Sequence, residues 1–329
     1  MKDTDYAYAV ARIRANESSL LTTADVEQLI AADSYKSALH ILEEKGWIDS
    51  ESHTDINTSL KSQIQKTWKL LCEISPDISE LEFLVVKNDF HNIKAALKAF
   101  VSMQTLESDM NGMDSFVAPS SVDAGQLNNA IINKKFNELP DFAKVITKQT
   151  YDVLIRTSDG QLADIMLDSA ALNTTMEKAD KTNNKFIKDI AELMCVTANI
   201  KTALRAARTG KDVQFLETAL CKTKTLDKAS LVDATAKGSK ELIEYISNTP
   251  YCEASEYMRT STTAFEKWCD DILMSHVKNA GYICLGVEPL IAYYIAKDAE
   301  IKTVRIVLSC KRNKLSPESI KERVRKLYV

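Results

Sequence analysis

The chain has 329 residues, with 42 Lys and Arg against 46 Asp and Glu for a net charge of −4, and only 8 Gly and 6 Pro. That length holds two or three domains. The balance of charge argues against a general nucleic-acid binder, and so few turn glycines argue against strand-rich and nucleotide-binding α/β folds.

Taken in order, the polar start Met1-Lys2-Asp3-Thr4-Asp5 has no apolar signal core. A first helix is expected from near Asp5, with Tyr6, Val10, Ile13 and Leu20 or Leu21 in helical period. Thr23 or Asp25 can cap a second helix whose stripe is Val26, Leu29 and Ile30. A third runs from Tyr35 to Glu44, with Gly46 where a C-terminal cap belongs. Ile56 to Ile74 reads as a long helix stopped by Pro76, followed by a helical pattern from Leu81 to Phe100. From Gln104 to Gln126 the turn signals Asn111-Gly112 and Pro119-Ser120-Ser121 mark a domain boundary. Long amphipathic helices are expected at about 162–176 and about 254–277. A last helix starts at Ser316-Pro317, with Ser as cap and Pro in the first turn, and runs to about Leu327. The most apolar run, Tyr282 to Ala296, is interrupted by Glu288-Pro289 and is too short to span a bilayer, so a soluble chain is expected.

One element occurs three times. Asn92-Ile93-Lys94-Ala95-Ala96-Leu97, Asn199-Ile200-Lys201-Thr202-Ala203-Leu204 and, weaker, Glu300-Ile301-Lys302-Thr303-Val304-Arg305 stand about a hundred residues apart. Around each isoleucine the apolar residues fall at i−7, i, i+3, i+4 and i+7, one face of an α-helix. The third copy has Arg305 on that face, so a more polar neighbour is expected there. The lysines sit at the stripe edge and are expected to snorkel to water. A second echo precedes each copy by about 60–70 residues: two short helices at Val26–Ala38, Leu127–Leu139 and Leu231–Leu242. Pieces and order both repeat. The chain is therefore read as all-α and triplicated, with helical domains at 1–110, 111–214 and 215–329, each closed by its Ile-Lys helix.

Chemistry is sparse. There is no phosphate-binding glycine loop; Thr209-Gly210-Lys211 lacks the frame. His40, His53, His91 and His276 have no histidine three or four residues away, so no helical metal face exists. The adjacent Asp270-Asp271 point apart on a helix and read as surface. The seven cysteines include no C-x-x-C pair and are expected to be reduced and to pack as small apolar residues. No catalytic, cofactor-binding or metal-ligating residue is assigned, and no cofactor is implied. From Lys302 to Lys326 nine basic residues face two acidic ones, a local +7. Lys302, Arg305, Arg312, Lys314, Arg323 and Arg325 are therefore the candidate partner-binding residues, suited to an acidic protein surface or anionic headgroups.

Two stretches resemble a known family. Tyr6-Ala7-Tyr8 with Ala11-Arg12-Ile13-Arg14-Ala15-Asn16-Glu17 is similar to the opening of the C subunit of V/A-type rotary ATPases, whose eukaryotic vacuolar counterpart is the d subunit. Glu288-Pro289-Leu290-Ile291-Ala292-Tyr293-Tyr294-Ile295-Ala296-Lys297-Asp298, then Lys311 and Leu315-Ser316-Pro317-Glu318, resemble its C-terminal part more specifically. The departures are Thr303 where the family often has Asn, and no glycine before Leu315. The compact length fits the bacterial or archaeal form. The resemblance implies three similar domains about a pseudo-threefold axis in a funnel, with no catalytic role. It implies a peripheral place on the cytoplasmic face of the membrane proteolipid ring, touching the membrane only through the complex. The partners it implies are that ring and the central shaft subunits D and F, and no nucleic acid. The funnel would pass torque during ATP-linked H+ or Na+ transport. The alternative reading is a free-standing helical-repeat scaffold for another protein.

Overall fold

Local signals set most helix boundaries in the structure, a computed structural model that describes residues 2–48, 56–106 and 112–329. A 3₁₀ turn, Asp3–Tyr6, leads into α1, Ala7–Glu17. Helix α2, Thr23–Ala31, opens on a reciprocal cap in which the Thr22 hydroxyl accepts from the Asp25 N–H and the Asp25 carboxylate accepts from the Thr22 N–H. The cap is thus Thr22, one residue before the expected position. Helix α3, Tyr35–Glu44, starts at the Ser34 cap and closes at Gly46, whose φ of +70° is a conformation that glycine adopts without strain. The remaining helices are α4 (Ile56–Ile74), α5 (Val86–Leu106), α6 (Ala124–Ile132), α7 (Asp141–Thr157), α8 (Gly160–Lys181), α9 (Lys185–Thr209), α10 (Val213–Ala219), α11 (Lys228–Lys237), α12 (Ser239–Ser247), α13 (Ala254–Thr260), α14 (Thr262–Val277), α15 (Glu288–Arg312) and α16 (Pro317–Lys321). No strand occurs among the described residues, and the fold is all-α.

Four expectations change. The middle block carries two long helices, α7 and α8, because Ser158 turns left-handed and Asp159 caps a new start through the Leu162 N–H. The helix expected over 254–277 breaks at Ser261, whose hydroxyl caps α14 through the Ala264 N–H. The second short element of the middle block is only a 3₁₀ turn, Phe136–Glu138, cut short before Pro140. The last helix ends at Lys321, because the residues after it are held by side chains of α14, as described below. Asn111, His53 and the expected boundary between 110 and 111 lie outside the described residues.

The chain forms two compact units, one of residues 79–250 and one of residues 1–78 with 251–329. In the first, Val86, Phe90, Ile93, Ala96, Leu97 and Phe100 of α5 share one core with Leu127, Ala130 and Ile131 of α6 and with Leu154 and Leu167 of α7 and α8. In the second, Ile301, Val304, Val307 and Leu308 of α15 share a core with Leu29, Ala38, Leu42 and Leu60 of α2, α3 and α4. Each Ile-Lys element lies inside a long helix, α5, α9 or α15. The apolar faces of α5 and α15 pack on the short helices of the next block, and α15 turns back to the first. The chain's two ends are therefore interleaved in one core. The more polar neighbour expected at Arg305 is absent: Val307 and Leu308 carry the buried face and Arg305 points to solvent. Two of the three lysines also find partners. Lys94 reaches Asp168 on α8 at 2.7 Å, and Lys302 reaches Asp298 at 2.9 Å.

The residue before each isoleucine makes a buried long-range bond of its own. Asn92 donates from Nδ2 to the Val117 carbonyl (3.0 Å) and accepts the Val117 N–H on Oδ1 (2.7 Å). Asn199 does the same to Cys221, at 2.9 and 3.1 Å. A primary amide has one donor and one acceptor side, so it can satisfy both groups of one buried peptide residue. In both cases the clasped residue stands seven positions before the next short helix, α6 or α11. A carboxylate one or two turns earlier holds the same loop: Asp89 accepts from Ser121 N and from the Ser120 and Ser121 hydroxyls, and Glu192 from Lys224 N, Thr225 N and the Thr225 hydroxyl. In the third copy the clasp is charged. Glu300 accepts the Leu21 N–H on Oε1, just before α2, and the Lys297 ammonium on Oε2 at 3.0 Å. Both side chains are buried, and the Lys297 Nζ lies 5.0 Å from the centre of the Trp47 ring.

Candidate partner-binding surface

Helix α15 packs with one face, so its opposite face is a solvent stripe of Lys302, Arg305, Ser309 and Arg312, all exposed or at the margin of exposure. The six cations expected to meet a partner separate into two groups here. Lys302 is engaged by Asp298, with Asp270 3.9 Å away, and those carboxylates hold its ammonium above the usual lysine range. Arg325 is mostly buried; its Nε donates to Asp270 at 2.8 Å and its Nη1 to the Arg323 carbonyl at 2.6 Å. These two are internal ties. Arg305, Arg312 and Lys314 are exposed, and Arg323 is half-buried beside them in the chain.

Asp270 and Asp271 are likewise not the idle surface pair their adjacency implied. They hold the C-terminal tail against α14: Asp270 takes Arg325, and Asp271 accepts the Lys326 N–H at 2.6 Å. The Lys267 ammonium donates to the Val324 carbonyl. With its backbone held by these side chains, the tail does not continue as helix. Arg325→Ala is therefore expected to cost about 1.5–3 kcal/mol, since it removes a charge-assisted bond to a partly buried carboxylate. Arg312→Ala should stay within about 0.5 kcal/mol of the parent. Denaturant melts of the two variants check this, and equal midpoints would overturn the division of the cations into ties and free groups.

Two of the free cations, Arg312 and Lys314, border an open cleft of about 860 Å³. One wall is the turn from α2 to α3, Ala31 to Tyr35; the other is the turn from α15 to α16, with Arg312, Lys314, Leu315 and Pro317. Lys311 joins the walls, its ammonium donating to the Ile30 and Ala32 carbonyls at the end of α2, where cations are favoured. Lys314 has φ +57° and closes α15, with the Leu315 N–H reaching back to the Cys310 carbonyl at 3.0 Å. Its backbone thus takes the conformation that glycine accepts most easily, at the position where the resembled family often has glycine. The cleft can hold an acidic side chain or terminus between two free cations, with Leu315 as apolar floor and Asp33 as the one opposing charge.

Several structurally decisive groups have no signal in the sequence. Asn92, Asn199 and Glu300 stand inside the repeated element, but its period marks only the isoleucine and the lysine. Arg14 is a second case. Its Nη2 donates to the Ala280, Gly281 and Ile283 carbonyls at 2.8, 3.3 and 2.9 Å, and its Nη1 to Glu17 at 2.7 Å, fastening α1 to the turn before α15. Nothing near Arg14 in sequence announces those carbonyls. Among the described residues no group of three His, Cys, Asp or Glu could hold a metal ion, and no helix is long and apolar enough to cross a membrane.

Comparison with known proteins places the chain in a family. A family model described as ATP synthase (C/AC39) subunit matches residues 9–323. The chain is 24% identical over 324 residues to the C subunit of the V-type sodium ATPase of Enterococcus hirae, covering 96% of this chain and 97% of that protein. It is 23% identical over 348 residues to the C subunit of the A-type ATP synthase of Methanocaldococcus jannaschii, covering 96% and 85%. A third relative, the C subunit of the A-type ATP synthase of a Desulfurococcus species, is 22% identical over 340 residues, with 98% and 91% covered. The matched span includes α15 and its basic stripe. The chain therefore belongs to the ATP synthase (C/AC39) subunit family and is a non-catalytic subunit of a V/A-type rotary ATPase.

Proposed function

We propose that this subunit joins the rotating central shaft to the membrane proteolipid ring and passes torque between them during ATP-linked H+ or Na+ transport. The observation that carries the reading is the family match through nearly the whole chain, from residue 9 to residue 323. The subunit would sit peripherally on the cytoplasmic face, bind the ring on one surface and shaft subunits D and F on another, and need no reactive group. What it needs is stiffness. Dense cores supply that, and so do the two-sided clasps at Asn92 and Asn199, because packed interiors deform little under load. The recurrence of the clasp, in charged form at Glu300, supports three equivalent blocks at 1–110, 111–214 and 215–329 arranged about a common axis as a funnel.

Within that reading, Arg305, Arg312 and Lys314, with Arg323 at the margin, meet acidic loops of the ring. The test is retention of the full chain on purified ring and, separately, on the D–F shaft. Reversing Arg305, Arg312 and Lys314 to Glu should lower ring retention at least about tenfold with an unchanged melting temperature. Wild-type retention on the ring should weaken as salt is raised to roughly 0.5 M. Unchanged ring retention of the triple variant would remove this face from the joint. Failure of the wild-type chain to bind either partner would overturn the joint itself.

A further inference from the structure

Two of the buried cysteines meet. Cys195 on α9 is 0% exposed and Cys221, in the non-helical segment between α10 and α11, is 1% exposed. Asn199 lies one helical turn after Cys195, so both point from the same face of α9. It clasps the Cys221 backbone from both sides, and its Oδ1 is 3.5 Å from the Cys221 Sγ. That clasp brings the Cys221 side chain back along α9 to Cys195, close enough that each thiol shifts the titration of the other. The Cys195 Sγ also lies 3.5 Å from the Leu172 carbonyl of α8. In the other two copies the residue five before the isoleucine and the residue held by the clasp are Asn88 with Val117 and Ala296 with Leu21. Packing at this joint therefore does not require sulfur, and only the middle copy has a cysteine at both positions.

We propose that Cys195 and Cys221 are a peroxide-responsive dithiol, closed by oxidation to a disulfide that fixes segment 220–226 to α9. The Cys221 sulfur attacks one peroxide oxygen; the O–O bond breaks, the hydroxide takes the thiol proton, and water leaves a sulfenic acid on Cys221. The Cys195 sulfur then attacks the Cys221 sulfur, forming S–S and breaking S–O, and its proton leaves with the hydroxide as a second water. Two thiols and one hydrogen peroxide give one disulfide and two waters, two electrons passing from sulfur to oxygen. Cys221 acts first because its interaction with Cys195, against burial, holds its thiol below the usual range; that same interaction and burial hold the Cys195 thiol above it. The peroxide reaches the pair when segment 220–226 opens from α9, and the bridge, once formed, prevents that opening.

The experiment uses the full chain. The exposed thiols Cys72, Cys252 and Cys284 are first blocked on the native protein with iodoacetamide. The protein is then treated with hydrogen peroxide, denatured in N-ethylmaleimide, digested and mapped by mass spectrometry. The expected product is a Cys195–Cys221 linked peptide, two hydrogens lighter than the reduced pair and restored by dithiothreitol. The equally buried Cys269 and Cys310 should be recovered as maleimide adducts. The oxidised protein should melt about 5–10 °C higher, since the bridge restricts the unfolded chain. Cys195→Ala and Cys221→Ala should each lose both the linked peptide and the rise in melting temperature. Recovery of both wild-type cysteines as maleimide adducts after peroxide overturns the proposal, and so does a bridge from either of them to another cysteine. Both readouts on the wild-type chain hold even if a variant fails to fold.

Discussion

Lys297→Met is expected to destabilise the protein by about 3–5 kcal/mol at pH 8, because it leaves a buried carboxylate without its cation. Lys297 and Glu300 are 5% and 2% exposed and 3.0 Å apart on α15. The other group bonded to Glu300 is the Leu21 N–H, which cannot neutralise it. The effect should depend on pH. Burial pushes Glu300 from its ordinary 4.5 up to about 7, with Lys297 opposing the rise and Asp25 adding to it. Asp25 is itself paired with Lys45. The folded pKa lies above the unfolded one, so the folded protein binds this proton more tightly. The resulting contribution to stability is full below about pH 4.5 and is lost as pH rises through about 7. Acidification to about pH 5.5 should thus shrink the deficit of Lys297→Met, since its Glu300 then takes up a proton. Lys297→Met/Glu300→Gln should recover most of the loss, as a neutral pair in place of a buried ion pair is often close to neutral for stability. Urea melts at pH 5.5 and 8 distinguish the cases. Equal deficits at both pH values would mean that the pair is not carrying a buried charge.

The second large effect is expected at Asn199. Asn199→Ala leaves both the N–H and the carbonyl of buried Cys221 without the partners they have now, each worth about 1–3 kcal/mol when orphaned. A loss of about 3 kcal/mol follows, read as a lower urea midpoint at unchanged slope. Asn199→Asp should be no better, because a second oxygen then faces the Cys221 carbonyl. Lys201→Ala, two residues along and partly exposed, should stay within about 0.5 kcal/mol. An Asn199→Ala midpoint equal to that of Lys201→Ala would show that the clasp contributes nothing.

These two sites show where sequence reading succeeds and where it stops. The helix from Tyr35 to Glu44 and the one from Ile56 to Ile74 are legible to the residue, because the period and the stop, Gly46 or Pro76, lie within a few positions of each other. The break at Ser261 is not, since a serine inside an apolar period can either point to solvent or cap a new helix. Among the candidate cations, Arg305, Arg312 and Lys314 are legible as exposed charge. Arg325 is not separable from them, because its carboxylate, Asp270, is distant in sequence and counts as ordinary surface until the tail folds onto it.

The sequence by itself determined that the chain is helical, that one element recurs three times, and which family its two ends resemble. Those properties rest on local periodicity and on short runs of residues. Only the tertiary structure decided what each recurring element does. It placed the third Ile-Lys helix in the core of the first block and turned Asn92, Asn199 and Glu300 into clasps on segments far along the chain. It also brought Cys195 against Cys221. Each of these depends on which backbone groups lose water together, and that is settled when distant segments pack, not by the spacing of residues along the chain.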